Sequence, residues 1–209
     1  LDLFVSIEHR ILIGVTGASG SIYAERLVQA LLPKVSRLYL VFSETARKVV
    51  QHELSDKIDT EFSLVRACRG DLSDLERTVI RIFGSEDLFA PVASGSSVPT
   101  AMVVAPCSMG ALARIAHGIS SNLLERSADV VLKQRCPLIL LPRETPLSSI
   151  HLRNMLSLSD MGAHIIPAMP GFYQRPQSID DLVDFVVGRV LDALDFPHDL
   201  YQPWNKRMR

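Results

Sequence analysis

Five short apolar runs punctuate the chain: Ile11–Val15, Leu38–Phe42, Ala101–Ala105, Leu138–Leu141 and His164–Pro167. They are continuous rather than alternating, the pattern of strands covered on both faces. Between them, apolar residues recur at helical spacing. Ile22, Leu27, Ala30 and Leu31 share one face ahead of Pro33, and Leu112, Ile115 and Ala116 share another. A third helix is predicted from about Ser121 to Gln134, around Val130, Val131 and Leu132. A last helix carries Leu182, Phe185, Val186, Val190 and Leu194. Alternating strands and helices imply a parallel sheet with right-handed crossovers. The expectation is one domain over residues 1–209, a doubly wound Rossmann-like (flavodoxin-like) α/β fold in three layers. Residues 55–99 break the rhythm with Asp, Ser and Gly clusters, and read as a long excursion holding one helix near Leu72–Ile82. The polar segment after Pro197, residues 197–209, reads as a tail that packs on a neighbouring subunit or frays.

Composition narrows the function classes. With 209 residues, 47% hydrophobic and 22% charged, the chain can bury a full core. A formal net charge of −1 supplies no basic face for a general nucleic-acid binder. No apolar run reaches the roughly 18–20 residues of a membrane span. Asp2 and Glu8 near the start, without a small-residue cleavage pattern, argue against a secretory signal. Cys68, Cys107 and Cys136 are an odd count at spacings that fit neither CxxC nor a zinc ribbon, so a reducing cytoplasm is expected. A mean hydropathy of +0.20 points to apolar surface covered in a homo-oligomer.

In such folds ligands sit beyond the carboxyl ends of the strands. The segments there read Thr16-Gly17-Ala18-Ser19-Gly20-Ser21, Ser43-Glu44-Thr45, Pro106-Cys107-Ser108-Met109-Gly110, Pro142-Arg143-Glu144-Thr145-Pro146 and Pro170-Gly171-Phe172-Tyr173. Small hydroxyl residues and glycines leading into helix starts suit a phosphate held on backbone N–H groups. Gly14, Gly17 and Gly20 are spaced by threes, so the GxGxxG dinucleotide fingerprint is absent. The surplus of hydroxyls (Thr16, Ser19, Ser21, Ser43, Ser108) favours a mononucleotide or flavin phosphate over a bare packing turn.

Asp180-Asp181-Leu182-Val183-Asp184 matches a DDxxD magnesium pattern. Ser178 at the N-cap position and acids in the first helical turn favour helix capping instead. The six histidines form no HxH or HExxH pair, so no metal site is expected. Arg126 and Lys133 stand two turns apart on one helix face. With Arg143 they form either a cationic clamp for phosphate or a solvated face in which Asp129 pairs with Lys133. Glu144, in a proline-flanked loop, is a candidate functional carboxylate. Cys107 reads as a small packed residue.

Several blocks together resemble a known family. They are Val15-Thr16-Gly17-Ala18-Ser19-Gly20, Ala93-Ser94-Gly95-Ser96-Ser97, Pro106-Cys107-Ser108, Glu125-Arg126-Ser127-Ala128-Asp129-Val130, Leu132-Lys133, Pro142-Arg143-Glu144-Thr145-Pro146 and Pro170-Gly171-Phe172-Tyr173. From about Arg10 to Leu194 the chain resembles the flavin prenyltransferases, the UbiX-type partners of UbiD-type decarboxylases. The resemblance implies that reduced FMN and dimethylallyl monophosphate give prenylated FMN and phosphate without metal, with bonds formed at flavin N5 and then C6. It further implies a homododecamer with sites between subunits, and a product passed to a UbiD-type decarboxylase, as in ubiquinone biosynthesis. By this resemblance FMN rests on Gly17, Ala18, Ser19 and Ser43, on Ser108, Met109, Gly110 and Ala111, and on Arg143. Lys133, Tyr173 and Arg189 grip the prenyl phosphate, with Arg126 close by. Ser19 and Glu53 relay the proton lost from the flavin, and Glu144 protonates the leaving phosphate.

The chain departs from the family pattern at Met109 and Ala111, where many relatives carry threonines, and at Leu88, where some carry tryptophan. Tyr173 and Trp204 are the candidate aromatic walls. Two other readings stay open. One is a flavin-dependent decarboxylase of the phosphopantothenoylcysteine type, whose proline-alanine-methionine-asparagine block is missing. The other is a non-catalytic flavin carrier.

Overall fold

In the computed structural model, which describes residues 8–55 and 62–202, six strands form one all-parallel sheet. They are β1 (Arg10–Val15), β2 (Arg37–Phe42), β3 (Ile80–Phe83), β4 (Ala101–Cys107), β5 (Leu138–Pro142) and β6 (His164–Ile165), in the order β3-β2-β1-β4-β5-β6. This is the doubly wound Rossmann order, reversing direction between β1 and β4.

Alternation along the strands divides the interior into two cores. Ile11, Ile13 and Val15 of β1, with Leu38, Leu40 and Phe42 of β2, face one core. That side is covered by α1 (Ser21–Leu31), α2 (Glu44–Glu53), α3 (Leu64–Cys68) and α8 (Ile179–Ala193). Leu12, Met102, Val104, Leu138 and Leu140 point the other way, under α5 (Met109–Ala116), α6 (Leu123–Lys133) and α7 (Ser149–Asp160). Both faces being covered is why the central strands lack polar alternation: every residue of β4 and of β5 is buried.

The structure departs from the sequence reading at three places. The stretch 55–99 is not one excursion with a helix over Leu72–Ile82. Helix α4 covers only Asp74–Val79, set by a capping box between Ser73 and Glu76, and β3 then pairs with β2 from Leu38↔Ile80 to Val41↔Phe83. Residues 56–61 of that stretch lie outside the described residues. Helix α7 was not expected, because it buries only Asn154 and Leu158 and leaves Ile150, Leu152 and Leu156 exposed. Strand β6 is shorter than the run His164–Pro167.

The described part of the tail lies against α8 of its own chain; Trp204 falls outside the described residues. Gly188 permits this seat, since a Cβ there would stand 2.5 Å from Tyr201 Cδ1. Among the described residues no helix is long and apolar enough to cross a membrane.

Candidate functional site at the sheet switch point

The carboxyl ends of β1 and β4 part at the switch point, where doubly wound sheets hold ligands. Thr16 stitches the two ends together. Its hydroxyl donates to the Pro106 carbonyl (2.7 Å) and accepts from the Ser108 amide (2.7 Å). That hydroxyl, 3% exposed as part of Thr16, is therefore committed to the scaffold rather than offered to a ligand. Beside it opens a cavity of about 200 Å³, lined from three loops by Thr16, Gly17, Ser43, Thr45, Ser108 and Ala111. Arg114, Asn122, Leu124 and Glu125 close its remaining walls. Gly17 allows the loops to meet, because a Cβ on it would lie 2.5 Å from Thr45 Cγ2.

Two helices begin at this cavity. Ser43 caps α2 by accepting from the Ala46 amide (3.1 Å), and Ser108 caps α5 by accepting from the Ala111 amide (3.3 Å). The preceding amides in each first turn have no acceptor within their helix, which leaves donors and a positive dipole end for an anion.

Helix α1 differs. Its amino end is filled by the Glu53 carboxylate, which accepts from the Gly20 amide (3.0 Å) and the Ser21 amide (2.8 Å). The expectation that the loop after β1 cradles a phosphate at its helix start is thus corrected: a carboxylate of the chain already stands there. The helix starts that keep first-turn amides free beside the cavity are those of α2 and α5.

The carboxylate at α1 builds a second feature. Burial pushes the Glu53 pKa up, but hydrogen bonds from the Ser19 hydroxyl and from the Ser21 and Gly20 amides outweigh it, so Glu53 stays below its ordinary range and ionised. Arg143 donates from Nε to the Ser19 carbonyl (3.1 Å). Ser19, Glu53 and Arg143 are thereby held together, with Glu144 next in the loop after β5 and accepting from the Thr145 amide (3.1 Å).

The other sequence-predicted residues lie in two separate places. On α6, Arg126 pairs with Asp129 (2.7 Å) and donates to the Ala93 carbonyl (3.2 Å). Asp129 therefore serves Arg126, not Lys133. Lys133 is the last residue of α6, exposed, and about 10 Å farther along the helix axis, toward the amino edge of the sheet where β5 begins. On the opposite face of the sheet, Arg189 of α8 donates to Asp192 (3.2 Å) and to the Tyr201 hydroxyl (2.9 Å). Tyr173 stands edge-on to Phe185 at 5.7 Å, and Phe185 in turn contacts Tyr201 at 5.3 Å. The cationic clamp of Arg126, Lys133 and Arg143 is not gathered within one chain.

Sequence reading missed Arg114 and Glu125 as cavity residues, and Asp192, His198 and Tyr201 as the setting of Arg189. The only local signal was Asn122 three residues before Glu125, a helix-start spacing that says nothing of Arg114. Cys107 is fully buried and its thiol is pushed up to about 12 by desolvation, which removes it as a nucleophile. Asp181 accepts from the Ser178 amide (3.1 Å) while Ser178 accepts from the Asp181 amide (3.1 Å), so this acid caps α8. Among the described residues no His, Cys, Asp or Glu cluster is suited to a metal.

The fold and site define a doubly wound α/β protein with a cavity beside two capped helix starts at its switch point, an arrangement suited to an anion. The family described as Flavoprotein matches residues 6–191. The chain belongs to the flavin prenyltransferase (UbiX) family: it is 46% identical over 203 residues to flavin prenyltransferase UbiX of Pseudomonas aeruginosa, covering 97% of each chain. Among solved structures it is similar to AnUbiX in complex with FMN and dimethylallyl pyrophosphate, with TM-score 0.81 and 38% identity over 95% of this chain and 98% of that one. It is also similar to a dodecameric FMN-dependent UbiX-like decarboxylase from Escherichia coli, with TM-score 0.79 and 39% identity over 93% and 98% of the two chains.

Proposed function

We propose that this protein transfers the dimethylallyl group of dimethylallyl monophosphate to N5 and C6 of reduced FMN, without a metal ion. The observation that carries this reading is the pair of capped helix ends beside the Ser19, Glu53 and Arg143 group. The cavity would take the phosphate of FMN, with Ser19 and Arg143 among the residues that would hold the flavin. When bound, reduced FMN supplies the nucleophilic ring atoms.

The chain's own residues do the rest. Lys133, Tyr173 and Arg189 hold the allylic phosphate, and their attraction grows as negative charge gathers on the departing oxygen, which lowers the barrier. Arg126 adds positive potential from two turns earlier on the same helix. Glu144 delivers a proton to the leaving phosphate. Glu53, held ionised, accepts through the Ser19 hydroxyl the proton released from the flavin. Exclusion of water protects the allylic fragment from hydrolysis.

Because Lys133 and Arg189 stand on opposite faces of the sheet, one substrate is enclosed by more than one copy of the chain. The exposed Ile150, Leu152 and Leu156 of α7 support assembly, and a homododecamer like that of the Escherichia coli relative is the form we infer. A UbiD-type decarboxylase is the recipient of the product. The three free cysteines suit a reducing cytoplasm.

The test is anaerobic incubation with reduced FMN and dimethylallyl monophosphate, followed by mass spectrometry of the extracted flavin. The flavin should gain one five-carbon unit. Lys133→Ala should bind FMN normally and yield no heavier flavin. A wild-type protein that binds FMN and never alters its mass would be a flavin carrier instead.

A further inference from the structure

We propose that Arg114 is the cation that grips the phosphate end of FMN, and that Glu125 is the positioning residue that aims it. The inference rests on the reading of the cavity as the flavin-phosphate site and adds to it a residue that sequence reasoning did not single out.

Helical side chains lean toward the amino end of their helix. Arg114 lies in the last turn of α5, yet its Nη1 reaches back to within 3.4 Å of where a Cβ on Gly110 would stand. Its charge is therefore delivered over the first turn, beside the Ser108 cap and the unpaired leading amides. Among the described residues that line the cavity, Arg114 carries the one cationic side chain. Ala111, on the same wall, offers only a methyl group.

The guanidinium is held, but not used up. Nε donates to Glu125 Oε1, and Glu125 is 1% exposed. The other carboxylate oxygen accepts from the Ser121 amide (3.0 Å) and the Ser121 hydroxyl (2.6 Å). Both oxygens of Glu125 are thus occupied, and its carboxylate stays ionised despite burial because these bonds and Arg114 outweigh desolvation. The two terminal nitrogens of Arg114 make no hydrogen bond among the described residues. An arginine clamped at Nε, with its other donors presented to a cavity that already holds two helix amino ends, matches the needs of a phosphate dianion.

The experiment measures binding of oxidised FMN and of riboflavin separately, by quenching of flavin fluorescence, at low and high salt. Replacing Arg114 alone leaves a buried carboxylate without its partner, so the decisive variant is Arg114→Gln combined with Glu125→Gln, which keeps polar groups and removes both charges. Its circular dichroism and melting temperature establish that it is folded. The dissociation constant for FMN should rise about ten- to a hundred-fold, that for riboflavin should stay within about twofold, and the salt dependence of FMN binding should flatten. Arg114→Lys should retain part of the preference for FMN. An unchanged FMN-to-riboflavin ratio, or an equal loss for both flavins, would overturn the assignment. Wild-type protein that binds neither flavin would overturn the flavin reading itself, a result distinguishable from either.

Discussion

Thr16→Val isolates the stitch that holds the two central strand ends at the site. Valine matches threonine in shape, so the change removes a hydroxyl without opening a cavity. Two hydrogen bonds of 2.7 Å are lost, to the Pro106 carbonyl and from the Ser108 amide. The Pro106 carbonyl keeps a weaker partner in the Thr16 amide at 3.3 Å, whereas the Ser108 amide is left with none. At about 1 kcal/mol per net bond, with about 1–2 kcal/mol more for the stranded donor, the expected loss is roughly 2–4 kcal/mol. For a chain of this size that lowers the melting temperature by roughly 5–15 °C. The assay is urea unfolding followed by circular dichroism, at one fixed protein concentration because assembly contributes by mass action. Thr16→Ser, which keeps the hydroxyl, should recover most of the difference. A valine variant within about 0.5 kcal/mol of wild type would refute the assignment of that hydroxyl to the scaffold.

Gly188→Ala should lift the tail from α8, since the new Cβ would stand 2.5 Å from Tyr201 and 2.9 Å from His198. Arg189 then loses its Tyr201 partner, and KM for the allylic phosphate should rise several-fold while FMN affinity holds; unchanged KM would count against a role for this contact. Glu53 has a pKa lowered in the folded state, so its stabilisation is complete above its ordinary value of 4.5 and fades as pH falls through the lower folded value. Thermal melts should accordingly show Glu53→Gln less stable than wild type at pH 7, the gap closing in acid; a gap that widens in acid would reverse this sign. Burial pushes Cys68 and Cys107 up to about 12, so a thiol-specific disulfide reagent at pH 8 should titrate no more than Cys136 in the folded protein and all three after denaturation.

Strands β1, β2, β4 and β5 were legible because burial on both faces leaves unbroken apolar runs. Strand β3 was not, because it is an edge strand with only Ile80 buried and Arg81 exposed within it. Helix α7 shows no clear apolar stripe, since Ile150, Leu152 and Leu156 are exposed and only Leu158 and Met155 pack on a core of this chain. The loops of the site could be read because Ser43 and Ser108 cap helices locally. The partner that fills the start of α1 could not, because Glu53 lies 33 residues from Gly20 and no periodicity links them. The same holds for Arg114 and Glu125, which meet across two helices. Spacing placed Arg126 and Lys133 on one helix face but misjudged the ion pair: Asp129 turned to Arg126, three residues back.

The separation of α6 and α8 by the full thickness of the sheet has a genetic corollary. If each reaction chamber borrows Lys133 from one copy and Arg189 from another, a chain crippled at either position still donates an intact half to its neighbours. Co-expressing two such dead alleles should then rescue a fraction of the chambers, so lesions at these two positions complement each other in trans.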